Sequence, residues 1–425
     1  MATHTVQVIR AGTLLDGSGA AARQDMVIVI RDGRIAYVGP PADAPTVDAP
    51  PEQIIDARDG SVLPGLIDSH VHLTFNTRTA ATSPAVIEQL VSDDEATLGI
   101  RAVQAAQACL AAGVTTVRDC GAKGLVALRL RELIASGFIN GPRVLACGMP
   151  ITTTAGHCHW LGQQADSEQE VILATRSMVL AGADFIKVMS TGGGMTPTSN
   201  IYEPQYTVAE LRAIVREAAR LQRRVTAHSH SPKGQRACLE AGIGMIEHCN
   251  WHTPAGQCFD EDLTRELNAA GVYIGITLSG PQQQAAIADQ PFAELDGELR
   301  RRYEILRQMR EMGSKIVLHS DAIAPITTYE AFPFSIIAAI RYGGFSLPEA
   351  IHACTARAAE AIGIDGITGT LAPGKAADLL IVEGNVEQDI RALSRTRQVL
   401  RSGRVVADHG AVYATPSGVP GSDGS

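Results

Sequence analysis

Two hydrophobic rhythms divide the chain. From residue 64 to about 369, eight short apolar runs alternate with helical stretches: 66–68, 114–117, 143–146, 184–188, 224–227, 245–247, 272–274 and 315–318. Each run is too short for a helix and reads as a strand of a parallel sheet buried on both faces. The stretches between them, such as 96–112 and 208–222, place apolar residues at i, i+3 and i+4 and predict amphipathic helices. An Ala-Gly pair recurs just before a run, at Ala112-Gly113, Ala181-Gly182, Ala241-Gly242 and Ala270-Gly271, where the glycine can end a helix. Eight strand–helix units over about 300 residues predict an α/β fold of the (β/α)8 TIM-barrel type. No Gly-x-Gly-x-x-Gly follows the first run, which argues against a dinucleotide-binding sheet.

The rhythm at both ends is different. Residues 6–10, 27–30 and 34–39 are β-type runs separated by the turns Asp16-Gly17-Ser18-Gly19 and Asp32-Gly33, the latter a hairpin signal. Residues 377–382, 398–401 and 404–406 repeat the style, and Ser402-Gly403-Arg404-Val405 echoes Asp32-Gly33-Arg34-Ile35. Both ends are therefore expected to build one small sheet together. This gives 1–63 as its N-terminal part, 64–369 as the barrel, and 370–425 as its C-terminal part and tail. Residues 418–425, rich in Gly, Ser and Pro, are expected to fray.

Composition narrows the function classes. Hydrophobic residues make up 45% and charged residues 19%, an ordinary globular balance. Thirty-six basic against 45 acidic residues give a net charge of −9, with no Lys/Arg block, so nucleic acid is excluded as a partner. No apolar run is long enough to span a membrane, and the first five residues lack a signal-peptide pattern, which taken literally expects a cytoplasmic protein. The eight cysteines contain no C-x-x-C pair, so they read as reduced core residues, and any metal must be held by His and carboxylates.

A barrel of this kind carries its active site at the C-terminal ends of its strands. The first run leads into Asp68-Ser69-His70-Val71-His72, and alternate residues of a strand face one side, so His70 and His72 can converge on one ion. The fifth run leads into His228, the sixth into His248, and the eighth into His319-Ser320-Asp321. Any one of these taken alone is an ordinary strand-end residue, but together they fall where the barrel places its chemistry. Lys187 lies inside the fourth run, Phe185-Ile186-Lys187-Val188-Met189, where a free ammonium is costly to desolvate. Carboxylation by carbon dioxide would turn it into a carboxylate able to bridge two cations.

These residues resemble the amidohydrolase superfamily. Pro64-Gly65-Leu66-Ile67-Asp68-Ser69-His70-Val71-His72 is similar to its first-strand motif, and Lys187, His228, His248 and Asp321 follow in the order of its two-metal members. Ala11-Gly12-Thr13-Leu14-Leu15-Asp16-Gly17 and residues 371–379 are similar to its small β-sandwich, so the resemblance covers nearly the whole chain. It implies two divalent ions, zinc in the first place. One is held by His70, His72 and Asp321, the other by His228 and His248, and N6-carboxylysine at Lys187 bridges them. Asp321 then serves as the base that takes a proton from a shared hydroxide and passes it to the leaving amine.

Within that superfamily the chain most resembles the imidazolonepropionase-related branch of metallo-carboxypeptidases and Xaa-Pro dipeptidases, which includes ochratoxin-hydrolysing amidases. The pointers are Thr152-Thr153-Thr154-Ala155-Gly156-His157, Ser190-Thr191-Gly192-Gly193 and Ala227-His228-Ser229-His230. The resemblance implies cleavage of an amide bond to a C-terminal amino acid, with a small amide or peptide bearing a free carboxylate as substrate. His230, where Tyr is commoner in that branch, and His157 are the expected carboxylate partners. It also implies a homo-oligomer, an octamer being one form. A cyclic-amide hydrolase of the imidazolonepropionase type and an inactive scaffold of the same fold are the alternatives. His159, His252 and His352 are expected to be structural, and Met195 and Tyr202 to belong to a lid or a subunit contact.

Overall fold

A computed structural model describes residues 6–46, 49–77 and 83–413; the N-terminal Met1–Thr5 and the tail at 418–425 lie outside them. All eight expected barrel strands form: Leu66–Val71, Val114–Asp119, Arg143–Ala146, Phe185–Met189, Arg224–Ser229, Met245–His248, Tyr273–Thr277 and Lys315–His319. Successive strands pair in parallel from the first to the third and from the fourth to the eighth. Two seams close the ring. Asp184 N donates to Ala146 O (2.9 Å) between the third and fourth strands, and Asp321 N donates to His70 O (2.9 Å) between the eighth and first. Asp184 and Val272, read as strand residues, lie just before their strands, and the Asp184 carboxylate instead accepts from Ala146 N (2.9 Å).

The continuous apolar runs follow from this closure, because helices cover one face of each strand and the barrel interior the other. The first two strands are buried at every position. The helix Val208–Arg220 shows how the coat is made: Thr207 and Glu210 form a capping box at its start, and Leu211, Ile214 and Ala218 are buried against the barrel. The helix Pro232–Ala241 stops at Gly242, whose φ of +82° is the left-handed conformation that the Ala-Gly signature implied.

The chain ends share one eight-stranded mixed sheet. Its spatial order is Ala411–Val412, Arg404–Asp408, Thr396–Arg401, Leu379–Glu383, Ile54–Pro64, Val6–Leu14, Arg23–Arg31 and Arg34–Gly39. Ile54–Pro64 runs parallel to Val6–Leu14 on one side and antiparallel to Leu379–Glu383 on the other. Along Leu379–Glu383 alternate residues enter different cores: Leu379 and Ile381 join the sheet's own, Leu380 and Val382 the main one shared with the barrel. That explains why this strand is apolar throughout rather than alternating.

The two echoing hairpins meet. Asp32 (φ 50°) and Gly33 (φ 74°) form one turn, Ser402 (φ 48°) and Gly403 (φ 75°) the other. Positive φ at both positions is the type I′ pattern. A Cβ on Gly33 would come within 2.6 Å of the Ser402 carbonyl oxygen. Among the described residues, no helix is long and apolar enough to cross a membrane. The cysteines are all free, and every one except Cys258 is buried.

Candidate active site

The eight residues singled out from the sequence, His70, His72, His157, Lys187, His228, His230, His248 and Asp321, line a single cavity of about 420 Å3 at the C-terminal mouth of the barrel. Six come from ends of strands one, four, five, six and eight. His230 follows the fifth strand and His157 sits on the loop after the third.

Each strand-end imidazole is held by one of its nitrogens. His70 Nδ1 donates to Glu247 Oε2 (3.2 Å), and His72 Nδ1 to Gly121 O (2.9 Å). His228 Nε2 lies 3.3 Å from Gly192 O, and His248 Nδ1 2.7 Å from Thr277 Oγ1. The three contacts to a carboxylate or a carbonyl assign the proton to the anchored nitrogen of His70, His72 and His228 and leave a lone pair on the other, the arrangement that tunes imidazoles for metal ligation.

The free ends converge. His70 Nε2 and His72 Nε2 are 3.3 Å apart, and Asp321 Oδ1 lies 3.5 Å from the first and 3.4 Å from the second. Ligand atoms about 2.1 Å from a tetrahedral ion are about 3.4 Å from one another, so this triangle has the dimensions of a zinc face. Without a cation, the lone pairs confront each other unless a proton intervenes. Burial opposes that proton on His72, but the Asp321 carboxylate raises its affinity above the ordinary imidazole value. His228, His230 and His248 form a second group, their ligand atoms within 4.8 Å of one another. His248 Nδ1, the nitrogen held by Thr277, is 3.9 Å from Asp321 Oδ2, so Asp321 belongs to the first group and lies beside the second. Burial works against ionisation of Asp321, yet His70 and His72 hold it down at about 2.

Lys187 lines the same cavity as both groups. It is 1% exposed, and its charge disfavours protonation of His70 in one group and of His228 and His248 in the other. Among the described residues no carboxylate or carbonyl pairs with its ammonium. The donor set fits divalent cations: imidazoles turned into one cavity, one carboxylate, and an unmatched lysine on the same wall.

Beneath the cavity lies a layer that sequence reading missed. Glu247 is fully buried and takes hydrogen bonds from His70, Arg118 and Thr226, while His319 Nε2 lies 3.3 Å away. The Arg118 guanidinium and the imidazoles hold its carboxyl well below the ordinary range against the cost of burial. Glu247 and His319 also group with His70 as possible ligands, but the Glu247 oxygens are already occupied, so this is a positioning network. Neighbours on a strand normally face opposite sides, yet Glu247 and His248 both point inward. The φ of +68° at His248 breaks the alternation. Asp321 is also left-handed (φ 53°), and each such residue stores about 1–3 kcal/mol.

His157 is 6% exposed, packs its ring 4.5 Å from that of His228, and has no partner for Nδ1. His230 Nδ1 is 2.9 Å from Asn250 Nδ2. Met195 lines the cavity, and Tyr202 does not. His352 binds Gly17 O through Nδ1 (3.0 Å), a packing role.

Comparison with known proteins adds an independent line. A profile of the amidohydrolase family matches residues 61–406. The chain is 29% identical to ochratoxinase of Aspergillus niger, over 93% of its own length and 84% of that protein. The crystal structure of A. niger ochratoxinase superposes with a TM-score of 0.80 at 25% identity, covering 95% of this chain and 96% of that one. A Xaa-Pro dipeptidase with methionine bound in its active site gives 0.79 at 27% identity, covering 96% and 100%. Imidazolonepropionase of Symbiobacterium thermophilum is 25% identical over 95% of this chain and 98% of its own.

Proposed function

The chain belongs to the amidohydrolase family, and from that premise we propose that it cleaves the amide bond to a C-terminal amino acid, in a dipeptide, an N-acyl amino acid or an ochratoxin-like amide. It is a hydrolase of amide bonds, as its likeness to ochratoxinase and to a Xaa-Pro dipeptidase supports. The observation that carries the finer reading is the convergence of two imidazole groups and the unpaired Lys187 on one cavity, with Asp321 in the first group and beside the second.

His70, His72 and Asp321 would hold one divalent cation and His228 and His248 the other, zinc being the first choice for this donor set. Lys187 would lose a proton and add carbon dioxide at Nζ, giving N6-carboxylysine, a carboxylate to bridge the two groups. Bound there, the cations would polarise the scissile carbonyl and lower the pKa of an attacking water. Asp321, ionised and facing both groups, would accept the proton of that water and return it to the leaving nitrogen as the C–N bond breaks. His230 and His157, on the cavity wall, are placed to meet the substrate. The unpaired Lys187 favours this over a cyclic-amide hydrolase that needs no bridging carboxylate.

Exposed apolar side chains support association into a homo-oligomer. Leu173 and Leu180 on one helix are 59% and 90% exposed, and Phe138 is 77% exposed.

The test is a hydrolysis screen of dipeptides and N-acyl amino acids with zinc-loaded protein, run beside elemental analysis. About two ions per chain and release of the C-terminal amino acid are expected. Fewer than one ion per chain with no hydrolysis of any substrate would overturn the reading.

A further inference from the structure

One cation on the cavity wall has no counterpart in the chemistry above. Arg302 lies in the helix Gly297–Glu311, a segment whose other arginines, Arg300, Arg301, Arg307 and Arg310, do not line the active-site cavity. Arg302 is turned inward and partly buried. Its Nη2 donates to the backbone oxygen of Thr277 (3.1 Å). In the amide orientation that satisfies both ends of Gln282, that side chain donates to Ser279 O (2.7 Å) and accepts from Arg302 Nη1 (3.0 Å). Both acceptors are neutral. Among the described residues no carboxylate lies within ion-pairing distance of the guanidinium.

A guanidinium stays charged at any physiological pH, so burying it without an anion is costly. Burial indeed presses against its charge. The fold nonetheless fixes it by two hydrogen bonds and leaves its remaining N–H donors without acceptors. Its position restricts what the missing anion can be. Thr277, whose carbonyl anchors Arg302, also holds His248 through its hydroxyl (2.7 Å). Arg302 therefore sits next to the reacting centre, and its charge disfavours protonation of His230 and His252. In a substrate with a C-terminal amino acid, a single carbon separates the scissile nitrogen from the carboxylate. The carboxylate must therefore be met immediately beside the metal-binding cluster.

We propose that Arg302 is the anchor for the α-carboxylate of the leaving amino acid, making a charge-assisted pair that fixes where the scissile bond lies. This rests on the reading given under Proposed function. His230 then has a different part from the one expected of it. The Asn250 amide donates to His230 Nδ1, which leaves Nε2–H as a neutral donor on the wall. It contributes a hydrogen bond, whereas Arg302 contributes the charge. A planar fork of N–H donors suits a carboxylate better than a point charge does, so Arg302→Lys should not restore full binding.

The experiment compares N-acetyl-L-phenylalanine with its carboxamide on wild-type, Arg302→Gln and Arg302→Lys zinc-loaded protein, by calorimetric binding and by hydrolysis. Wild-type protein should prefer the carboxylate, and that preference should fall by roughly 30-fold or more in Arg302→Gln. The fall should appear in KM rather than kcat, with zinc content and thermal midpoint retained. Arg302→Lys should be intermediate. An Arg302→Gln variant that keeps the wild-type preference, or a wild-type protein that binds both compounds equally, overturns the proposal. Loss of carboxylate binding in Arg302→Gln without hydrolysis in any variant would overturn the amide-cleavage reading and leave the anchor standing.

Discussion

Glu247 Oε2 accepts the Nδ1 proton of His70 at 3.2 Å, and this one contact decides which nitrogen of His70 faces the active site. The same carboxylate neutralises Arg118, which is only 3% exposed. Glu247→Gln keeps the shape and removes the charge. Metal-free protein should lose about 3 kcal/mol or more of unfolding free energy in urea, because Arg118 is left buried without a counter-charge. Zinc affinity in a chelator competition should fall by about 10–100-fold. Unchanged values in both measurements would remove Glu247 from its positioning role.

Thr277→Val deletes the hydroxyl that orients His248 and preserves the volume of the side chain. One of two zinc ions should then bind about 10–100-fold more weakly while the other is retained. Equal weakening of both ions would mean that the two groups do not act as separate sites.

Lys187→Ala removes the bridging carboxylate that the reading requires. Metal content should drop toward one ion per chain and hydrolysis by more than about 100-fold. Bicarbonate should not rescue the variant, whereas it should reactivate wild-type protein stripped of carbon dioxide. Full metal content with a wild-type rate would show that Lys187 bridges nothing.

Glu217 supplies a pH dependence away from the active site. It joins the helices Glu168–Leu180 and Val208–Arg220 by accepting from Arg176 Nε (2.7 Å) and Arg220 Nη2 (2.6 Å). Arg220 and Arg176 lower its pKa to about 2. A carboxylate depressed in the folded state adds stability above its unfolded pKa and loses it as pH falls through the folded one. Glu217→Gln should therefore lower the thermal midpoint at pH 7, and the gap from wild type should close between pH about 4.5 and 2. A gap that stays constant down to pH 2 would contradict the ion-pair account.

At the junction of the two hairpins, Gly33→Val forces a β-branched residue into φ +74° and toward the Ser402 carbonyl. The positive φ alone costs about 1–2 kcal/mol, and the contact adds to it. Urea denaturation should show the loss, with zinc content unchanged. A variant as stable as wild type would mean that the turns can separate freely.

The barrel was legible in the sequence because strands buried on both faces must be apolar at every position, and a glycine before each of several strands marks where a helix stops. The site was legible as far as it sits on strand ends: all eight residues named from the sequence line the cavity. What escaped reading shares one cause. Glu247 turns inward only because His248 has positive φ, which no residue pattern announces. Arg302 belongs to a helix whose charge density reads as a solvated face, and Arg118 and Thr277 look like ordinary strand residues. Their roles depend on which way one side chain points, and tertiary contacts set that direction.

The central strand Ile54–Pro64 has a consequence for how the chain is made. Its partner on one side, Val6–Leu14, leaves the ribosome before it, but Leu379–Glu383 emerges more than 300 residues later. At about 5–20 residues per second, the apolar edge of Ile54–Pro64 waits roughly a quarter of a minute to a minute for its partner. A nascent chain stalled inside the barrel would expose an unpaired strand edge, the usual seed for edge-to-edge aggregation. The last fifty or so residues, remote from the chemistry, thus act as the clasp that ends this period of risk.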